Sequence, residues 1–179
     1  MKAMRNALAI GALAFFSSAC GAGALSQNQG LPDFELLATS GEVVRMSDHL
    51  GKDVILLTFW DARCDGCLRQ MPAFADLYTA YKDRGFIVLA VSVDSPRTSG
   101  SVASIAADRE MTFPVLRDLD GAIFAQYSAR RMLPYTLLID RRGNVAIRLE
   151  GKWIASREVI EEPIVHLLQE PVPQPSPPQ

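Results

Sequence analysis

The sequence predicts an α/β domain that combines a parallel strand pair with antiparallel hairpins, and three observations carry that expectation. Residues 53–60 and 86–93 are apolar runs with no alternation of polar side chains, as expected of central strands covered on both faces. Between them an amphipathic stretch places Phe74, Leu77, Tyr78 and Tyr81 at three- and four-residue intervals. A crossover of that length lets the two strands run parallel, with right-handed connection by rule. Further on, residues 135–140 and 145–149 flank the turn Arg141-Arg142-Gly143-Asn144, a clear hairpin pattern.

The other elements follow in chain order. Lys2 and Arg5 precede an apolar run at 7–16, too short to span a membrane as a mature helix and suited to an export signal. Two processing routes are open. Ala22-Gly23-Ala24 offers small residues for ordinary cleavage, whereas Ser17-Ser18-Ala19-Cys20-Gly21 resembles a bacterial lipobox, with Ser17 where Leu is usual, and would make Cys20 a lipid-attachment residue. The lipobox route is preferred because it accounts for the third cysteine. Residues 31–37 and 42–46 then flank Thr39-Ser40-Gly41 as an N-terminal hairpin, and 47–52 read as a brief helical turn closed by Gly51, with His49 on its surface. The helix after Cys64 contains Pro72, which lacks an N–H and should kink it, and Gly85 should stop it. A loop and cap at 95–100, a helix at 102–110, a short strand at 113–116 and a helix at 122–127 come next. The last helix, 155–169, carries Val159, Ile160, Ile164, Leu167 and Leu168 as apolar positions and His166 on its surface. Residues 170–179 alternate Pro with Gln, Val and Ser and cannot build a packed core. The expected organisation is an export signal (1–24), a spacer (25–30), one folded domain (31–169) and a Pro-rich tail.

With 179 residues, 49% of them hydrophobic, and a formal charge of -2, the chain suits a single domain with a sizeable core. It offers no footprint for nucleic acid. The pairs Arg130-Arg131 and Arg141-Arg142 are too short for a phosphate-tracking stripe and read as solvated turn charges.

Cys64 and Cys67 sit where the first apolar run has ended and the amphipathic pattern starts, so the pair falls at a strand-to-helix junction. Residues i and i+3 of a first helical turn share a face, within the short Cα separation that a disulfide requires. The helix start supplies unpaired N–H groups and partial positive charge, which favour a thiolate at Cys64 over one at Cys67. Arg63 adds a formal cation beside the first sulfur, while Asp65 works against it. These features point to a redox pair, and three other readings compete. A structural disulfide over so small a loop restricts the unfolded chain by only ~2 kcal/mol, against ~3 kcal/mol for fifteen residues. Zinc needs two further ligands at suitable spacing, and only the distant His49 and His166 are on offer besides acidic residues, so no metal is expected. Two inert buried thiols would need neither the helix start nor the charged flanks.

Over residues 31–168 the chain resembles the exported TlpA/ResA-like thiol-disulfide oxidoreductases, which have the thioredoxin fold and overlap with the wider redoxin group. The resemblance rests on Pro32-Asp33-Phe34, Gly51-Lys52, Phe59-Trp60, the Cys64 to Cys67 motif followed by Met71-Pro72, Leu133-Pro134-Tyr135-Thr136, and Leu138-Ile139-Asp140 with Gly143 after it, all in order and at family-like spacing. It implies a thioredoxin-like α/β fold, a central mixed sheet flanked by helices with an added N-terminal β-hairpin. It also implies that Pro134 is a cis-proline facing the cysteine pair, that the backbone of Leu133 offers a pairing edge to a substrate peptide, and that Trp60 and Pro134 shape the docking surface. Four positions depart from the family pattern. Asp65-Gly66 replaces Pro-Pro or Gly-Pro between the cysteines, Arg63 replaces the usual Trp, Gln70 replaces a common Glu, and Thr58 stands where thioredoxins keep a buried Asp. These residues tune reduction potential and proton transfer, so the direction of electron flow does not carry over.

The resulting expectation is an exported, monomeric enzyme with no cofactor beyond its own redox-active disulfide. Its partners would be protein disulfide or thiol substrates and an upstream electron donor, in the periplasm or cell envelope, anchored through a lipidated Cys20. Cys64 would attack and Cys67 resolve, with Asp94 or Glu110 as candidate acceptors of the Cys67 proton. The resemblance implies two common roles, cytochrome c maturation and general thiol repair, and the surface features do not choose between them. One alternative is a peroxidase with a single reactive cysteine, but peroxiredoxins place Thr or Ser three residues before that cysteine and Pro seven before, where this chain has Asp61 and Leu57. The other is a non-catalytic exported binding module with a structural disulfide.

Overall fold

The computed structural model describes residues 30–173. The expected export signal, the lipobox with Cys20, most of the spacer and the end of the Pro-rich tail lie outside the described residues. An antiparallel hairpin of β1 (Glu35–Leu37) and β2 (Val43–Arg45) comes first, with Leu36 opposite Val44. The first apolar run then becomes β3 (Val54–Trp60), the middle member of a five-stranded sheet ordered β5-β4-β3-β6-β7. Its partners are β4 (Phe86–Ser92), β5 (Val115–Arg117), β6 (Tyr135–Ile139) and β7 (Val145–Glu150). β4 runs parallel to β3, pairing Trp60 with Ser92, and β6 runs antiparallel, pairing Phe59 with Tyr135. β5 is parallel to β4 and β7 antiparallel to β6, which makes the sheet mixed.

The helices are α1 (Asp65–Tyr81), α2 (Val102–Asp108), α3 (Ala122–Tyr127) and α4 (Glu158–Gln169). All seven residues of β3 are buried because the pleat divides its side chains between two cores. Val54, Leu56 and Trp60 pack with Met71, Phe74 and Leu77 of α1, Val102 and Ala106 of α2, and Ile160 and Ile164 of α4. Ile55, Leu57 and Phe59 pack on the other face with Phe34 and Met46 beside the N-terminal hairpin and Phe124 and Tyr127 of α3. Phe59 stacks on Phe124 with ring centroids 4.9 Å apart. Burying each such side chain contributes about 1.5–3 kcal/mol relative to exposure, which is what holds the strand against both layers.

As expected, α1 runs through Pro72, whose missing N–H deprives the Leu68 carbonyl of its helical donor, to Tyr81, and a short 3-10 turn then ends at Gly85. Other local expectations change. α4 starts at Glu158 rather than 155, and Val159 is exposed, because the buried stripe runs Ile160, Ile164, Leu167 and Val159 lies one residue off it. No side chain caps α2. His49 is half-buried rather than a free surface group, its Nδ1 lying 2.8 Å from Asp53 Oδ2, whereas His166 is exposed as expected.

The largest correction concerns Arg141, which is not a solvated turn charge. It is 6% exposed, and its guanidinium donates to the carbonyls of Lys52 (2.9 Å), Arg84 (3.2 Å), Leu167 (3.1 Å) and Glu170 (2.9 Å). The last two belong to the C-terminal end of α4, where helical carbonyls lack partners and a cation meets the negative end of the helix dipole. Gly85 makes room for it: a Cβ there would sit 3.3 Å from Arg141 Nη2 and from the Lys52 oxygen, and the residue's φ of +82° is left-handed.

Candidate active site

The cysteines lie at the C-terminal end of β3, where the chain leaves the sheet at Trp60 and enters α1 at Asp65. They are joined, with Sγ–Sγ 2.03 Å and Cα–Cα 5.1 Å. Cys64 is the N-cap of α1, in extended conformation, and its sulfur accepts the Cys67 backbone N–H at 3.1 Å. A free helix-start donor is thus spent on the first sulfur, as the sequence led us to expect. Cys64 is half-buried and Cys67 fully buried, so only the first sulfur is open to a partner.

The loop before Cys64 is held on both sides. Asp61 Oδ1 accepts the Arg63 N–H at 2.7 Å, and the Asp61 carbonyl accepts the Cys64 N–H at 3.1 Å. Asp94, 2% exposed, reaches from beyond β4 to accept both the Ala62 N–H and the Ser92 hydroxyl at 2.9 Å through Oδ2, while its Oδ1 has no partner among the described residues. Glu110, the other carboxylate considered for proton transfer, is exposed after the C-terminal end of α2. The Arg63 guanidinium is exposed, 3.9 Å from Asp61 Oδ2, and Asp65 pairs with Arg69 at 2.7 Å on the surface.

The Leu133–Pro134 peptide is cis. The antiparallel register of β3 and β6, continued one step beyond Phe59 and Tyr135, puts Pro134 beside Trp60, at the end of the sheet from which the cysteine loop departs. Pro134 is buried and Leu133 half-buried, the latter touching both cores. Trp60 is fully buried in the same cluster as Cys67, its Nε1 without a partner among the described residues.

Beneath Cys67 runs a buried chain of neutral polar groups. The Thr58 and Thr136 hydroxyl oxygens are 3.0 Å apart, Gln70 Nε2 donates to Thr58 Oγ1 at 3.4 Å, and Gln70 Oε1 accepts the Ile154 N–H at 3.1 Å. Thr58, Thr136 and Gln70 are all at most 1% exposed. The two family departures, Thr58 and Gln70, are therefore partners in one network, and its terminus at Ile154 was not singled out from sequence. Nor was Trp153, whose side chain lies against Gly66: a Cβ at Gly66 would be 3.7 Å from Trp153 Cβ and Cδ1. The only available cue was a tryptophan in a polar connection between hairpin and helix. Among the described residues no group of three or more His, Cys, Asp or Glu is arranged to hold a metal ion, and no helix is long and apolar enough to cross a membrane.

A mixed five-stranded sheet, a disulfide between cysteines three residues apart at the start of α1, and a cis-proline at the same sheet end define a thioredoxin-fold thiol-disulfide oxidoreductase. Known proteins agree. The profile of the AhpC/TSA family matches residues 28–148, and the chain belongs to that family. It is 38% identical over 120 residues to the thiol-disulfide oxidoreductase ResA of Geobacillus kaustophilus, covering 67% of each chain. Among solved structures, it is similar to a candidate thiol:disulfide interchange protein DsbE from Chlorobium tepidum, with TM-score 0.69 and 32% identity over 78% of this chain and 95% of that one. A candidate protein disulfide isomerase from Bacteroides thetaiotaomicron superposes with TM-score 0.71 at 27% identity, covering 79% and 89% of the two chains.

Proposed function

We propose that the protein exchanges electrons with disulfides of other proteins, Cys64 making the first bond and Cys67 breaking it. The observation that carries this reading is the asymmetry of the pair: Cys64 is half-buried and receives an N–H from its own helix, while Cys67 is sealed beneath it. In the reduced enzyme, that donor and the helix start favour the Cys64 thiolate. The thiolate attacks one substrate sulfur, and the other leaves and takes a proton. Cys67 then gives up its proton and attacks the Cys64 sulfur, releasing the second substrate thiol. The substrate disulfide gains two electrons and two protons, and the enzyme ends as the disulfide described above. A dithiol donor upstream would restore it.

The test is reduction of insulin disulfides by dithiothreitol. Wild type is expected to accelerate it and Cys64→Ser to leave only the background rate. Equal rates for the two would overturn the proposal. Cys67→Ser is expected to hold substrate on Cys64 as a mixed disulfide, which identifies the partner.

A lone peroxide-reactive cysteine fits less well, since Cys64 has its resolving partner one helical turn away and is preceded by Asp61 and Leu57 rather than a peroxidatic motif. Location forms part of the reading. Lys2, Arg5 and the apolar run at 7–16 support export, and the lipobox-like segment supports an anchor at Cys20. Radioactive palmitate is expected to label the protein in a bacterial host, and absence of label removes the anchor.

A further inference from the structure

Trp153 is 43% exposed, although tryptophan carries more apolar surface than any other side chain and is highly buried on average. Its placement is built in. The segment between β7 and α4 is pinned at Ile154, itself 2% exposed in the core cluster that contains Cys67, and the Ile154 N–H is bound by Gln70 one turn beyond Cys67 on α1. Gln70 is fixed in turn by Thr58 and Thr136. The indole is thereby seated on Gly66, between the two cysteines, where a Cβ would lie at ordinary contact distance, 3.7 Å, from it.

A second exposed apolar side chain stands on the same flank. Met132, 47% exposed, immediately precedes the Leu133–Pro134 peptide and lies over Gly151, two residues before Trp153: a Cβ on Gly151 would meet Met132 Cε at 2.8 Å. The loop bearing the cis-proline and the segment bearing Trp153 are therefore in contact. Together they place a rigid aromatic over Gly66, two residues from the half-buried Cys64, and a flexible thioether on the adjoining cis-proline loop. Aromatic and methionine side chains held open in this way are favoured at protein contacts, the first because it loses little entropy on binding and the second because it adapts its shape.

We propose that Trp153, supported by Met132 of the adjoining loop, is a specificity-determining contact that packs against an apolar residue flanking the reacting cysteine of a protein substrate. The proposal rests on Cys64 being the attacking sulfur, since a covalent bond to Cys64 brings the substrate residues next to that sulfur over Gly66 and its indole. A polypeptide is the occupant because a small disulfide bonded to Cys64 has nothing with which to cover the indole.

The experiment uses two disulfide-cyclised peptides that differ only in the residues preceding their cysteines, Leu in one and Ser in the other, with hydroxyethyl disulfide as a small reference. Wild type is expected to favour the Leu peptide in kcat/KM, through KM. In Trp153→Ala the Leu-to-Ser ratio should fall about tenfold, roughly the loss of one well-packed aromatic contact, and Trp153→Phe should restore most of it. An unchanged ratio in Trp153→Ala, or no preference in wild type, overturns the proposal while leaving the redox reading intact if hydroxyethyl disulfide is still reduced. Failure of wild type on all three substrates would remove both.

Discussion

The carboxylate of Asp94 and the backbone N–H of Ala62, 32 residues apart in sequence, meet at 2.9 Å and fasten the cysteine loop to the end of β4. The same oxygen holds the Ser92 hydroxyl. Asp94→Ala removes an acceptor from one buried and one part-buried donor and is expected to cost about 2 kcal/mol of stability, as for a charge-assisted bond. It should also slow insulin reduction several-fold, because the loop that presents Cys64 loses its frame. Asp94→Asn, which keeps one acceptor oxygen, should fall between. Urea unfolding and the insulin assay check both. A wild-type rate in Asp94→Ala would mean that the loop keeps its shape without this tie.

Arg141 offers a test of the fold away from the redox end. Arg141→Met preserves much of the buried stem but leaves the Glu170, Lys52 and Arg84 carbonyls without this donor, and the Leu167 carbonyl with only the Glu170 N–H. The expected loss is about 3 kcal/mol by urea unfolding, since several buried acceptors go unpaired at once. Arg141→Lys should lose less, its ammonium having three donors but no fork. A change under about 0.5 kcal/mol in Arg141→Met, as at an ordinary surface site, would contradict this account.

The contact between α1 and α4 carries a pH dependence. Glu161 receives bonds from Arg157, with Nε 2.9 Å from Oε2, and from the Tyr81 hydroxyl at 2.6 Å. The Arg157 hydrogen bond, then that of Tyr81, holds the Glu161 carboxyl below its ordinary 4.5, whereas the bond to Glu161 is the main cause that raises Tyr81 above 10.0. A depressed carboxylate stabilises the fold above its unfolded value and loses that contribution as pH falls through the folded one. A raised phenol contributes fully below its unfolded value and loses that contribution as pH rises. The tie is therefore at full strength between about pH 4.5 and 10. Glu161→Gln is expected to cost about 1 kcal/mol at neutral pH, modest because the group is partly exposed. The difference from wild type should close in acid, and a gap that persists there would exclude the linkage.

What could be read in advance follows from the range of each interaction. β3, α1 and the β6–β7 hairpin were visible because burial on both faces, a 3.6-residue period and a turn each leave a pattern within one segment. Cys64 and Cys67 were visible for the same reason, their spacing and their position at the helix start being local. Gln70 showed only as a substitution in a family pattern; its tie to Ile154, 84 residues away, leaves no periodic trace. Arg141 was misread because it stands in a polar turn, and its acceptors come from three other parts of the chain. Val159 was assigned to the core because neighbouring apolar residues blur which one the helix turns inward.

The strand that ends at Trp60 has no face on solvent: all seven of its residues are wedged between two packed layers. Opening or closing the sulfur bridge therefore cannot be accommodated by sliding the sheet. A change of oxidation state is therefore expected to be taken up at the rim, in the loop from Asp61 to Cys67, while the strand beneath it stays as an unyielding foundation.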